Sequence, residues 1–281
     1  MEKPRILVAQ DLLTFILEET AKAKQARIAV AFARQSGLVL MERQIQTSLE
    51  KGGKWDFLVG LDFSQTEGAV LRRLLKWKSN FTHFDFGCYS DPSIDRAKTF
   101  HPKVFMFQRG GRACAVVGSS NLTGGGLGGN EEANIVVQGS ADEIDDMGFP
   151  ALFARWKYQG TCFTPDEVYI ERYEFVRRRV VKMSRRVLAK PSTKGELEKL
   201  RKRESELAIE PRDPATLKGQ QKWIYERLPE GEFSTPDMYA HVKEFQTRSR
   251  TPEASIRRLL QEVRDEGILI HLGKNRWNRR V

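Results

Sequence analysis

Three short stretches decide how this chain reads: His101-Pro-Lys103-Val-Phe-Met-Phe-Gln108, Gly118-Ser-Ser-Asn121 and Asn130-Glu-Glu132-Ala133. Residues 103–107, 113–117 and 133–137 carry strand patterns, and Gln108-Arg-Gly-Gly-Arg112 between the first two is a hairpin turn. Side chains on a strand alternate with a period of two, so His101 and Lys103 share a face and can meet one phosphate together. Ser119, Ser120 and Asn121 add small hydrogen-bonding groups beside them. Gly124, Gly125, Gly126, Gly128 and Gly129 leave the adjoining loop free of side chains, so a bulky substrate backbone can approach it.

Upstream of this segment helical and strand patterns alternate. Residues 10–24 place Leu12, Leu13, Ile16 and Leu17 on one helical face, and 26–32 is a β-rich run. Residues 38–51 are helical, 55–63 strand, 67–78 helical and 84–88 strand. Residues 142–158 close the region as one helix bearing Met147, Phe149, Leu152, Phe153 and Trp156. Such alternation predicts an α/β layered domain.

The chemistry follows from the residue types. A phosphodiester is anionic and repels nucleophiles, so without a metal the protein must supply charge and donors. Lys103, Asn121 and a serine hydroxyl do so. A neutral imidazole can then attack phosphorus to give a phosphohistidine, and a second, protonated histidine is the natural donor to the leaving oxygen. Glu132 is expected to orient His101, with Glu131 as the alternative and a plain salt bridge as the simplest role. His83, His241 and His271 lack such company and are read as structural.

This pattern resembles the phospholipase D superfamily, whose signature is His-x-Lys followed by Gly-Ser-x-Asn. The matching residues are His101, Lys103, Gly118, Ser119 and Asn121, over roughly residues 5–160. With Glu132 in an Asn-x-Glu-Ala context the chain is especially similar to phospholipase D-type restriction endonucleases. The resemblance implies a phospholipase D-like layered sheet-and-helix catalytic domain, with His101, Lys103, Ser119, Asn121 and Glu132 as its catalytic residues and with neither metal nor cofactor. It departs at Gln108, where family members often carry an acidic residue with a mainly structural role. Only one copy of the motif is present, while the mechanism needs two histidines. In the family such chains pair, so a homodimer with a shared active site is expected.

Residues 1–170 are therefore expected to form the catalytic domain and 171–213 a basic helical linker. The linker runs from Arg172 through Arg177, Arg178, Arg179, Lys182, Arg185 and Arg186 to Arg203. It is either a solvated helix face or a contact for phosphates. Residues 214–281 then read as helices over 217–228, 236–245 and 252–266, followed by strands over 268–272 and 276–280. The order resembles a winged helix-turn-helix, although such modules also bind proteins. In the third helix Ile256, Leu259, Leu260 and Val263 make a buried stripe. Ser255, Arg257, Arg258 and Gln261 face out as a major-groove recognition surface. Lys274, Asn275, Arg276, Arg279 and Arg280 suit a wing on phosphates or the minor groove, and Trp277 either packs beneath the wing or stacks on a base.

The 281 residues carry a net charge of +10, which attracts polyanions. Three widely spaced cysteines fit neither a disulfide framework nor a zinc site, and no apolar run is long enough to span a membrane. With no signal-peptide pattern at Met1, a cytoplasmic location is expected. The function these features favour is a restriction or defence endonuclease acting on double-stranded DNA. A lipid phosphodiesterase and a DNA-binding regulator on an inactive nuclease fold are the alternatives. The target sequence and the identity of any methyltransferase or helicase partner are not written in the chain.

Overall fold

In the computed structural model, which describes residues 1–89, 99–158, 162–207, 210–243 and 251–279 and only the backbone of Ala9 and Gln10, the helix-and-strand alternation closes into one mixed sheet. Its strands are β1 (Arg5–Leu7), β2 (Gln25–Val30), β3 (Lys54–Gly60), β4 (Phe84–Tyr89), β5 (Lys103–Arg109), β6 (Arg112–Gly118), β7 (Asn134–Ser140) and β8 (Cys162–Phe163), in the order β1-β7-β6-β5-β2-β3-β4-β8. The strands β2, β3 and β4 run parallel, as crossover helices between them require, and every other neighbour is antiparallel. The seam between these two halves is β2 against β5, with Val30 opposite Lys103.

Helices α1 (Ala9–Lys22), α2 (Gln35–Glu50) and α3 (Gly68–Asn80) bury Leu12, Ile16, Met41, Ile45, Val70 and Leu74 in one core with Ile28, Phe57, Phe86, Phe105 and Val116 of the sheet. A smaller cluster of Ala29, Leu58, Val104, Met106, Ala115 and Val137 packs with Ile144 of α4 (Ala141–Asp146) and Phe153 of α5 (Phe149–Tyr158). The stretch read as one helix over 142–158 is thus two, because Gly148 between them takes a left-handed φ of 82°. Helix α6 (Glu167–Ala189) completes this unit, with Ile170 buried and the Tyr173 hydroxyl donating to Thr66 O at 2.9 Å.

At the end of the sheet where β3 and β4 begin, Asp56 and Asp85 lie in register and Lys157 of α5 bridges them at 2.5 and 2.6 Å. Burial pushes the Asp56 carboxyl up to about 6 despite Lys157. Burial also raises Asp85, but hydrogen bonds from Lys157 and Lys78 outweigh it and hold that carboxyl below its usual range. The pair therefore rests mainly on Asp85. Because the folded pKa of Asp56 lies above its ordinary 3.8, its contribution to stability falls as pH rises from there to about 6. Replacing Lys157 with methionine leaves two facing carboxylates. It is expected to cost about 3 kcal/mol at pH 8 and less at pH 5, read by urea denaturation; an equal cost at both pH values would show that Asp56 does not titrate there.

The chain divides into two compact units, Met1–Ala189 and Lys190–Val281. The second comprises α7 (Pro191–Glu206), α8 (Gly219–Tyr225), β9 (Glu232–Ser234), a 3-10 stretch over Pro236–Lys243, α9 (Pro252–Asp265), β10 (Leu269–Gly273) and β11 (Arg276–Arg279). Its antiparallel sheet has the order β10-β11-β9. Ile256, Leu259, Leu260 and Val263 of α9 are buried with Leu217, Ile224, Met238 and Trp277, so the apolar spacing of this helix does mark its core face. The β10–β11 turn places Lys274 and Asn275 at φ 46° and 63°, the paired left-handed residues of a type I′ hairpin. Asn275 tolerates that conformation better than Lys274 does.

Candidate active site

The loops that follow β2, β3 and β6 and those that precede β5 and β7 gather at one end of the sheet. Their backbones hold one another. Ala31 N donates to Pro102 O at 2.9 Å, Leu122 N to Phe32 O at 3.2 Å, and Arg34 N to Leu122 O at 2.9 Å. The N-terminus of α2 lies so close to this weave that a Cβ on Gly37 would sit 2.4 Å from the Leu122 carbonyl carbon, which only glycine avoids.

His101 is exposed just before β5, while Lys103, at its first position, is 9% exposed. The Lys103 ammonium lies 2.7 Å from His101 Nδ1 and 3.2 Å from Nε2, and donates to His101 O at 3.1 Å. The expected juxtaposition of these two side chains is present. Partial burial, followed by the Lys103 charge, holds His101 below its ordinary 6.5, so the neutral imidazole prevails at neutral pH. Burial likewise lowers Lys103, opposed by the charge of Glu132. A proton-NMR titration of the His101 ring is expected to give a midpoint under 6.5; a midpoint on the alkaline side of neutrality would mean the ring rests as imidazolium at neutral pH.

Asn121 is half-buried and its Oδ1 accepts from Phe32 N at 2.9 Å. With the oxygen so engaged, the amide NH₂ is the end left to donate. The two serines of the motif part company. Ser119 is exposed, accepts from Ala133 N at 3.1 Å and donates to Glu132, whereas Ser120 is buried and bonded to Asn134 at 2.9 Å. Glu132 also accepts from Asn130 Nδ2 at 3.2 Å. The carboxylate therefore meets Ser119 and Asn130 rather than the His101 ring, and reaches Lys103 through its field. Glu131 is exposed.

The glycine loop forms a π-helical turn over Gly125–Gly129 with Leu127 buried, and a Cβ on Gly126 would meet Asn121 O at 2.5 Å. Its glycines thus allow close packing behind Asn121 as well as an open surface. Two aromatic residues that sequence reasoning assigned to strand ends, Phe32 and Phe63, lie in these loops, with Phe32 edge-on to His101 at 5.6 Å. Among the described residues no group of three or more His, Cys, Asp or Glu side chains is placed to hold a metal ion, and no helix is long and apolar enough to cross a membrane.

In the second unit Arg257 and Arg258 are exposed on α9, with Arg257 Nε donating to the Tyr239 hydroxyl at 2.6 Å and Arg258 paired with Glu262. Gln261 is exposed and Ser255 half-buried. Lys274, Asn275 and Arg276 are exposed at the hairpin. Arg279 turns inward instead, lying over the Tyr225 ring at 4.3 Å and donating to Leu228 O at 3.2 Å. Trp277 packs beneath the hairpin, its Nε1 donating to Thr235 Oγ1 at 2.8 Å. Arg280 lies outside the described residues.

No family model and no curated protein matches the chain. Among solved structures it is similar to NucT from Helicobacter pylori, with 12% identity over 54% of this chain and 94% of that one and a TM-score of 0.42. It is also similar to a phospholipase D family member, Nuc from Salmonella typhimurium, with 15% identity over 58% and 100% of the two chains and a TM-score of 0.41. Phosphatidylserine synthase from Haemophilus influenzae Rd KW20 gives 14% identity over 67% of this chain and a TM-score of 0.49, with 47% of its own length spanned. At such distances the chemistry has to come from this chain's own residues.

Proposed function

We propose that this chain is a phosphodiesterase of the phospholipase D type that cuts DNA, with His101 as nucleophile. The observation that carries the proposal is the Lys103 ammonium 2.7 Å from the His101 ring, with Asn121 held by the backbone N–H of Phe32, whose ring meets His101, and Ser119 bonded to Glu132, whose charge acts on Lys103. One imidazole nitrogen attacks phosphorus. The P–N bond forms as the P–O bond breaks, and the leaving oxygen takes a proton from a protonated imidazole. Water then attacks phosphorus, returns a proton to that second imidazole and breaks the P–N bond. The Lys103 charge and the Asn121 amide N–H stabilise the charge that builds on the non-bridging oxygens.

The second imidazole comes from another copy, so the working unit is a homodimer with a shared site. Residues 214–281 are a winged-helix reader of double-stranded DNA, offering Arg257, Arg258 and Gln261 to base edges and Lys274, Asn275 and Arg276 to phosphates. A restriction or defence nuclease of the cytoplasm joins these parts most simply. The test uses purified protein and plasmid DNA. Cleavage is expected to survive EDTA, and mixing wild-type with His101→Ala chains under exchanging conditions should lower activity faster than the wild-type fraction. A linear fall would overturn the shared site, and loss in EDTA with rescue by magnesium would overturn the phosphohistidine.

A further inference from the structure

Two aromatic rings beside His101 have no part in the chemistry above. Phe32 meets the imidazole edge-on at 5.6 Å, and Phe63 meets Phe32 in the same manner at 6.2 Å. Phe63 is 59% exposed although its neighbours Leu61 and Asp62 are buried. Its backbone has φ 58°, and Ser64 follows at 54°, a left-handed conformation that bulky residues seldom adopt.

The surrounding loop enforces this presentation. Asp62 accepts from Phe100 N at 3.1 Å, one residue before His101. The buried Thr66 hydroxyl donates to Gly60 O at 2.6 Å and accepts from Ala33 N at 3.2 Å. Unfavourable backbone of this kind persists where its surroundings over-determine it, and it clusters at functional sites. Between these anchors Gln65 Nε2 reaches Phe63 O at 3.5 Å, while Gln65 Oε1 holds the Arg34 guanidinium. An exposed aromatic ring and a fixed cation are thereby tied to one loop beside the nucleophile.

We propose that Phe63, seated on Phe32, is a stacking platform for an unpaired nucleobase next to the scissile phosphate, and that Arg34 grips a neighbouring phosphate of the same strand. This rests on the nuclease function proposed above and narrows its substrate to a strand that is single or locally melted at the cut. Within a duplex both faces of a base are covered by its neighbours, so a protein ring reaches one only when the base leaves the stack. Stacking on a phenyl ring is indifferent to base identity, which suits a catalytic unit whose partner unit does the reading. A lipid anchor would want several apolar side chains together. The loop Asp62-Phe-Ser-Gln-Thr-Glu67 offers one, and its ring is fixed against Phe32.

The test is binding and cleavage of single-stranded oligonucleotides carrying 2-aminopurine or an abasic site beside the cut bond. Binding is measured in a His101→Ala background so that it does not depend on turnover. Phe63→Ala is expected to weaken binding roughly tenfold and abolish 2-aminopurine quenching, and Phe63→Trp to restore both. In the His101-intact enzyme the change should fall on KM. The abasic site should cost the parent protein the same factor and the Phe63→Ala variant nothing more. Unchanged quenching and affinity in Phe63→Ala would overturn the platform, as would a loss confined to anionic phosphatidylglycerol vesicles. Quenching by a protein that cuts no DNA would sustain the platform and sink the nuclease, and cleavage indifferent to Phe63 would do the reverse.

Discussion

The His101→Ala protein is expected to bind DNA with near-parental affinity and to cut none of it. His101 is exposed and its ring takes part in no core cluster, so the substitution removes one edge contact with Phe32 and the hydrogen bond from Lys103 without opening a cavity. The fold should stand. Affinity should stand too, because phosphate and base contacts are spread over many side chains while bond breaking passes through a single nitrogen. The measurement is plasmid cleavage beside a gel-shift titration on the same preparation. Cleavage retained above a thousandth of the parental rate would remove His101 from the nucleophile's role.

Lys103→Ala is expected to lower the cleavage rate by roughly 10²- to 10³-fold, the scale of losing one preorganised transition-state donor. A second effect distinguishes this from a general loss of structure. The Lys103 charge helps hold His101 below its ordinary pKa, so its removal should raise the His101 titration midpoint and carry the acid limb of the rate profile with it. Lys103→Arg keeps the charge but cannot place a compact ammonium against both ring nitrogens, and should restore the midpoint better than the rate. A slow Lys103→Ala enzyme with an unmoved midpoint would mean that Lys103 acts by packing.

How much of this was legible depended on distance along the chain. His101 and Lys103 stand two residues apart at the entry to β5, so their spacing alone keeps them close, and the stripe of Ile256, Leu259, Leu260 and Val263 follows from helical periodicity. The sheet's β1 and β8, three and two residues long, leave no period to detect. The break at Gly148, with Pro150 two residues on, is a helix-stop pattern that the apolar spacing of Met147, Phe149, Leu152 and Phe153 overrode in the reading of one helix.

Within the site, the partner of Glu132 depended on how two loops meet, and apolar runs ending at Phe32 and Phe63 look like strand all the way. What ends β2 and β3 before those rings is the interlocking of the loops through Leu122, Thr66 and Asp62, contacts between residues distant in sequence. Arg279 reads as a wing charge by its position in the hairpin, yet Tyr225 of α8 draws it inward.

The seam between β2 and β5 also bears on how the protein reaches its native state. One flank, β2-α2-β3-α3-β4, is built from neighbours in sequence, and so is the other, the meander β5-β6-β7. Each can organise early from local contacts. Joining Val30 to Lys103 closes a loop of roughly seventy residues, at about 4 kcal/mol of chain entropy that the flanks must recover once docked. Phe32 and Phe63 ride on the first flank, and His101, Lys103 and Asn121 on the second. Docking of the seam is thus the step that brings the two rings to the imidazole, and a nascent chain that has not yet zipped it holds His101 and its aromatic neighbours apart.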